Sequence, residues 1–176
     1  MPQEARKEKL GMVSPKKIKI NRRFIMKLNI QLVPRTCWGS SLKQKLRPCE
    51  WDKIRKAVYA KEEIDGKKYC HTCKDLCKSL DAHEIWEYDE ENHVQRLIEI
   101  IGICKACHNT IHYGRAMATG YEKEAIEQYI KVNKCKKKDL KVELAQAEKN
   151  HTRQSKIEDW ELDVTLIEKQ GYFLKL

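Results

Sequence analysis

Cys70-His-Thr-Cys73 and Cys104-Lys-Ala-Cys107-His108-Asn-Thr-Ile-His112 are the two runs whose reading decides how this chain folds. Each Cys-x-x-Cys turn aims two thiolates at one point, and a second such turn completes a tetrahedron around a structural zinc. Residues 74–103 separate the turns, more than the roughly 15–20 residues of the common zinc-finger spacing. The gap is predicted to hold a β-hairpin. Leu80–Tyr88 mixes apolar and polar residues as an outgoing strand, Asp89-Glu-Glu-Asn92 reads as a turn, and His93–Ile103 returns as a largely apolar strand. After Cys107 the pattern becomes helical, which puts His108 and His112 on one face. A strand carrying His83 and a helix carrying His108 and His112, clamped by Cys70, Cys73, Cys104 and Cys107, can bring three imidazoles to one metal. The expected fold class is α+β, a small ββα core over about residues 69–118 with a four-cysteine zinc site and flanking helices.

The run His83-Glu-Ile-Trp-Glu-Tyr-Asp89, followed by His93-Val-Gln-Arg-Leu97, Cys104-x-x-Cys-His108 and His112-Tyr-Gly-Arg-Ala116, resembles the HNH nuclease superfamily. Within it, the run looks most like a subgroup of bacterial and phage proteins. Leu32-Val-Pro-x-x-Cys-Trp38 before it and Trp160-x-Leu-Asp163 after it extend the resemblance over residues 28 to 170 or so. The resemblance implies a ββα core around one catalytic divalent metal (Mn²⁺, Mg²⁺, Ni²⁺ or Zn²⁺). It also implies hydrolysis of DNA phosphodiesters to 5′-phosphate and 3′-hydroxyl ends, with DNA expected ahead of RNA.

Two positions depart from the family pattern. The family's first strand commonly carries a metal ligand followed at once by a histidine base; here the pair is His83-Glu84. Either His83 binds metal and Glu84 is the base, or His83 is the base with a thinner metal shell. An unperturbed glutamate, with a pKa of about 4.3, is a weak base at neutral pH unless burial raises it. The family's central Asn finds Glu99 in its region. The expected catalytic residues are thus His83, Glu84 and His108, and the expected catalytic-metal ligands are His83, His108 and His112. Imidazoles suit Mn, Ni, Co or Zn better than Mg. Arg96, Lys105 and Arg115 surround the expected cleft, and Arg115 follows His112 by about one helical turn, which suits a phosphate contact.

Composition bounds the partner. With 176 residues, a net charge of +10 and 35% charged residues, the chain points to a polyanion, nucleic acid first. The longest apolar run, Leu97 to Cys104, is broken by Glu99 and Gly102, so no membrane partner is expected. No signal-peptide core is visible, and the expected location is the cytoplasm. Eight cysteines in a lysine-rich chain with paired Cys-x-x-Cys spacing favour metal over disulfides. Cys37, Cys49, Cys77 and Cys135 are then plain thiols, with Cys77 near enough to be a rival ligand.

Residues 1–27 hold nine Lys or Arg against two acids, a basic flexible arm, and residues 28–176 form the nuclease-like domain with a helical extension over 119–176. Leu28–Val33 is expected as a short strand and Glu50–Ala60 as a helix with Trp51, Ile54 and Val58 on one stripe. Tyr121–Val132 is expected as a second helix. Residues 133–139 read as a loop, Leu140, Leu144 and Ala147 begin another helix, and Trp160–Val164 forms an edge strand or strap. His71 is expected to face solvent. His93 is expected either to bond His83 across the hairpin or to pack at its turn, and Trp86 and Tyr88 to pack in the core. The principal functional expectation is a metal-dependent HNH-type endonuclease. The rival is a catalytically inactive, zinc-stabilised nucleic-acid-binding module, separated from it only by His83, Glu84, His108 and His112.

Overall fold

In the computed structural model, which describes residues 27–175, the central hairpin forms as its sequence pattern requires. The strands are β1 (Glu63–Ile64), β2 (Lys67–Tyr69), β3 (Leu76–Cys77), β4 (Asp81–Asp89), β5 (Val94–Ile103) and β6 (Glu161–Asp163). The helices are α1 (Leu42–Lys45), α2 (Pro48–Lys61), α3 (Lys105–Ile111), α4 (Tyr113–Ala118), α5 (Glu122–Asn133), α6 (Lys137–Gln154) and α7 (Thr165–Glu168). The architecture is mixed α+β, and the basic arm expected at the N-terminus lies outside the described residues apart from Lys27.

Strands β4 and β5 pair antiparallel with His83 opposite Ile101 and Asp81 opposite Ile103. The turn closes because Asp89 Oδ1 accepts from the backbone N–H groups of Glu91 and Asn92, at 3.2 and 3.1 Å, and His93 takes a left-handed φ of 56°. The register slips between Ile85 and Trp86, which pair with Glu99 and Leu97, so Ile98 is a bulged extra residue on β5. Strand β6 adds parallel to β5, leaving β4 as a free edge of the sheet order β4-β5-β6.

Alternation gives the sheet two apolar faces. Leu97 and Ile100 pack with Leu42 of α1, Leu46 just after it, Ile54 and Val58 of α2 and Ile167 of α7. On the other face Ile101 and Ile103 pack with Cys107 and Ile111 of α3. At Gly102 the C-cap of α2 and the loop before β4 press close: a Cβ there would lie 3.0 Å from Glu62 Cγ and 3.2 Å from Leu80 Cδ1. A third cluster, including Ile30, Tyr113, Tyr129 and Leu140, joins α4, α5 and α6.

A second, smaller sheet β1-β2-β3 leads into the first cysteine turn. It begins at Asp65-Gly66, whose φ angles of 51° and 72° give the doubly left-handed turn that favours Asp-Gly between two strands. Two expectations are corrected. Leu28–Val33 is extended but is no strand: Leu28 exchanges hydrogen bonds with the Asn133 side chain at 3.1 and 2.7 Å, and Gln31 N donates to Ile111 O at 2.9 Å. The Asn133 side chain and a carbonyl of α3 thus satisfy a backbone that pairs with no strand. Helix α6 starts at Lys137, inside the expected loop, because Asp139 accepts from Lys136 N at 2.8 Å and caps the first turn.

Candidate metal centres

The two cysteine turns close on each other across the β5–α3 junction. Cys70 N–H donates to Asp75 O and Lys74 turns left-handed at φ 63°, which curls the first turn back on itself. In the second, Cys104 is the N-cap of α3, and its Sγ accepts from Cys107 N at 3.5 Å. The Sγ atoms of Cys70, Cys73, Cys104 and Cys107 all lie within 4.8 Å of one another, and Cys73 to Cys104 is 3.8 Å. A tetrahedron with Zn–S bonds of about 2.3 Å has edges of about 3.8 Å. That separation is far beyond a disulfide, and the donor set fits a structural zinc. Cys104 N–H and the Gln128 side-chain amide donate to Cys70 and Cys107 Sγ at 3.3 and 3.1 Å, the kind of supporting bonds that thiolates take.

As thiols the four share protons unevenly. Hydrogen bonds from Cys104 and Cys107 hold Cys70 far below the ordinary thiol range, while burial pushes Cys73 up to about 12. Cys107 is pushed up by its bonds to Cys104 and Cys70. Four converging sulfurs, two of them buried and two half-buried, are a donor set that a divalent cation would draw into thiolate form. Cys77 stays outside the cluster, its Sγ bonded to Asp75 O at 3.1 Å, so it is no rival ligand.

A second cluster lies on the α3 face of the hairpin. His83 from β4, buried to 4% exposure, meets His108 and His112, with nitrogens of all three within 4.8 Å of one another. The ring centroids form a nearly equilateral triangle, at 5.4, 5.0 and 4.9 Å. Helix α3 ends at His112, whose φ of −90° and ψ of 54° break the helix before α4. One turn therefore presents both His108 and His112 before the chain changes direction.

Burial keeps these imidazoles neutral. Desolvation, with His112 and His108 alongside, pushes His83 down to about 3, and desolvation pushes His112 down to about 4. His108 is lowered by desolvation too, against a counter-pull from Asp81. Asp81 Oδ2 lies 2.7 Å from His108 Nδ1, so His108 donates there and its Nε2 is left as the lone-pair nitrogen. Asp81 is a residue to which motif reading assigns no role. Three neutral imidazoles, one braced by a carboxylate, fit a borderline transition metal and leave coordination positions for other ligands, unlike the closed four-sulfur site.

The histidines sit in a cleft of about 1000 Å³ lined from β4, an edge strand among the described residues, by Asp81, Ala82, His83, Glu84, Trp86 and Tyr88. Glu84 borders it from the opposite strand face. Its carboxylate accepts from Leu42 N at 2.9 Å and Trp86 Nε1 at 3.1 Å, and burial raises its pKa. Lys105 and Arg115 line the cleft as expected, Lys105 at 3.8 Å from Asp81 and Arg115 bonded to the buried Asn109 at 3.3 Å. Arg96 does not reach it. It lies opposite Glu87, four residues along β4 from His83, a span of roughly 13 Å at strand rise. Its guanidinium is committed to Glu87 and Asp163, at 2.8 and 2.9 Å, which ties β4 and β6 to β5.

His93 also departs from the cross-hairpin bond considered for it, since Nδ1 pairs with Asp159 at 2.8 Å at the far end of the hairpin. His71 is partly exposed and bonds Glu62 at 2.7 Å. Trp86 packs against the α2 side of the core, and Tyr88 meets Trp160 edge-on at 5.4 Å. Among the described residues no helix is long and apolar enough to cross a membrane. Compared with protein-family models, with curated proteins and with solved structures, the chain matches none.

Proposed function

We propose that the protein is a metal-dependent endonuclease of the HNH type, hydrolysing DNA phosphodiesters in the β4 cleft. The observation that carries this reading is the convergence of His83, His108 and His112 on one point of a cation-lined cleft, separate from the four cysteines. A divalent ion held by the three imidazoles would supply Lewis-acid stabilisation of charge on the phosphate and the leaving oxygen. Asp81 fixes the His108 tautomer so that Nε2 faces the cluster. Arg115 brings a positive charge that no carboxylate within the described residues neutralises, suited to a phosphate oxygen.

The membership of His83 in the triad leaves Glu84, which borders the cleft from the opposite face of β4, as the remaining candidate for the base. Burial raises the Glu84 pKa toward the range in which a carboxylate accepts a proton usefully at neutral pH. One observation favours the rival reading of an inactive binding module: both Glu84 oxygens already accept hydrogen bonds from the protein. Plasmid nicking in Mn²⁺, Mg²⁺, Ni²⁺ or Zn²⁺ separates the two. His83→Ala and His108→Ala are expected each to abolish nicking while zinc content, fold and DNA binding persist. A wild-type protein that binds DNA and cuts none in any of these metals would leave the binding module as the correct reading.

A further inference from the structure

Four tryptophans are distributed unequally between core and surface. Trp51 and Trp86 pack against the α2 cluster and Trp160 meets Tyr88. Trp38 is 69% exposed and stands on the wall of the same cleft that holds the three histidines. Indole is large and apolar, so leaving it in water forgoes one of the larger burial gains available to any side chain.

This exposure is not that of a side chain swinging freely. Trp38 Nε1 donates to Val33 O at 3.1 Å, which pins one edge of the ring. The backbone is held as well: Trp38 N bonds Arg35 O at 3.2 Å, and Gly39 follows with a left-handed φ of 88°. With its polar N–H satisfied by the protein, what the indole offers solvent is apolar ring surface. The charges around it suit a polyanion. Lys43 and Arg115 line the cleft without an ion pair among the described residues. The nearby carboxylates are engaged, Asp52 with Arg55 and Lys56 at 2.6 and 3.0 Å, and Asp81 with His108.

We infer that Trp38 is a stacking platform for an unpaired nucleobase, so that the cleft takes a single-stranded or locally opened stretch of nucleic acid. This rests on the nucleic-acid half of the proposed function and is independent of its hydrolytic half. A base inside a closed duplex has both faces covered by its neighbours and has none to offer the indole. In a single strand the π face is free, and stacking of this kind is worth about 1–3 kcal/mol per base by alanine substitution.

The test uses the full chain, fluorescence anisotropy without added divalent metal, and two short labelled strands. One carries bases throughout, and the other is an abasic strand of the same length and charge. Trp38→Ala is expected to weaken binding of the base-bearing strand by about 5- to 150-fold and to leave the abasic strand unchanged. Trp38→Phe, which keeps a ring, is expected to retain most of the affinity. Circular dichroism and zinc content establish that both variants fold. A Trp38→Ala variant that loses affinity equally for both strands, or for neither, overturns the inference. If the wild type binds no strand at all, the inference falls together with the nucleic-acid reading. If it binds base-bearing strands through Trp38 and never cuts them, only the hydrolytic reading falls.

Discussion

At the scale of single residues, the informative contact is the one between Asp81 and His108, 2.7 Å across the hairpin–helix junction. A carboxylate behind a metal-binding imidazole fixes its tautomer and raises its basicity, and losing such a partner typically costs 10- to 100-fold in metal affinity. Asp81→Asn is therefore expected to weaken Mn²⁺ or Zn²⁺ binding at the histidine site by that factor, read by isothermal titration, with the zinc content expected of the four cysteines unchanged. Undiminished affinity would make the contact incidental. The triad also sets a pH dependence. An unfolded histidine has a pKa near 6.5, whereas burial takes His83 to about 3 and His112 to about 4. Well above pH 6.5 both states are neutral and the full stability is present. As pH falls from about 6.5 toward 4 the unfolded chain takes up protons that the folded one refuses, so stability declines. Each of the two groups should contribute a loss on the order of 2 kcal/mol between pH 7 and pH 5. Urea midpoints at the two pH values measure it, and His83→Gln should shrink the difference; an equal drop in that variant contradicts the assignment. Histidine spacing made the triad itself legible in the sequence. Asp81 was not, because a partner 27 residues away is chosen by strand register, which residue types alone do not encode.

At the scale of elements, the hairpin and α3 depend on the cysteines as much as on their own packing. The small sheet β1-β2-β3 has strands of only two or three residues, too short to hold the first cysteine turn in place unaided. The second turn is the N-cap of a seven-residue helix, shorter than isolated helices that persist in water. A structural zinc in such a place contributes folding energy outright, with apparent binding free energies of about 10–16 kcal/mol in zinc-finger peptides. Cys70→Ser or Cys104→Ser is thus expected to release one zinc equivalent and to strip the hairpin–helix unit of its slow amide exchange. A variant that keeps full zinc content and full protection would show the cluster to be four incidental thiols. The long alternating and helical patterns announced β4, β5, α2 and α5, and the spacing of the cysteines announced their cluster. What stayed hidden were decisions made by partners distant in sequence. Leu28–Val33 has strand composition, yet the Asn133 amide and the Ile111 carbonyl claim its backbone. Arg96 reads as a cleft cation until Glu87 and Asp163 are seen to hold it.

At the scale of the whole molecule, charge decides how a polyanion would be met. The chain carries +10, and residues 2–25 contribute eight Lys or Arg against two acids, so their removal leaves +4. The cleft keeps its own cations, Lys43, Lys105 and Arg115, whatever happens at the N-terminus. Two contributions to nucleic-acid affinity can therefore be separated. Contacts from the N-terminal stretch would be made to phosphates alone and would release counterions, lowering log affinity by about 0.7 to 0.9 per contact for each decade of salt. Contacts in the cleft would include the stacking on Trp38 inferred above, which salt would screen little. Deleting residues 2–25 is expected to flatten the plot of log affinity against log salt by at least two of those increments, while the ratio of base-bearing to abasic strand affinity stays the same. Metal-dependent cutting, measured at saturating DNA, should survive the deletion, because the three histidines and Asp81 all lie beyond residue 80. An unchanged salt slope would assign the phosphate contacts to the described residues and make the first 25 passive in binding. A changed base-to-abasic ratio would mean that the N-terminal stretch reaches into the cleft, and the separation between anchoring charge and base-reading cleft would not hold.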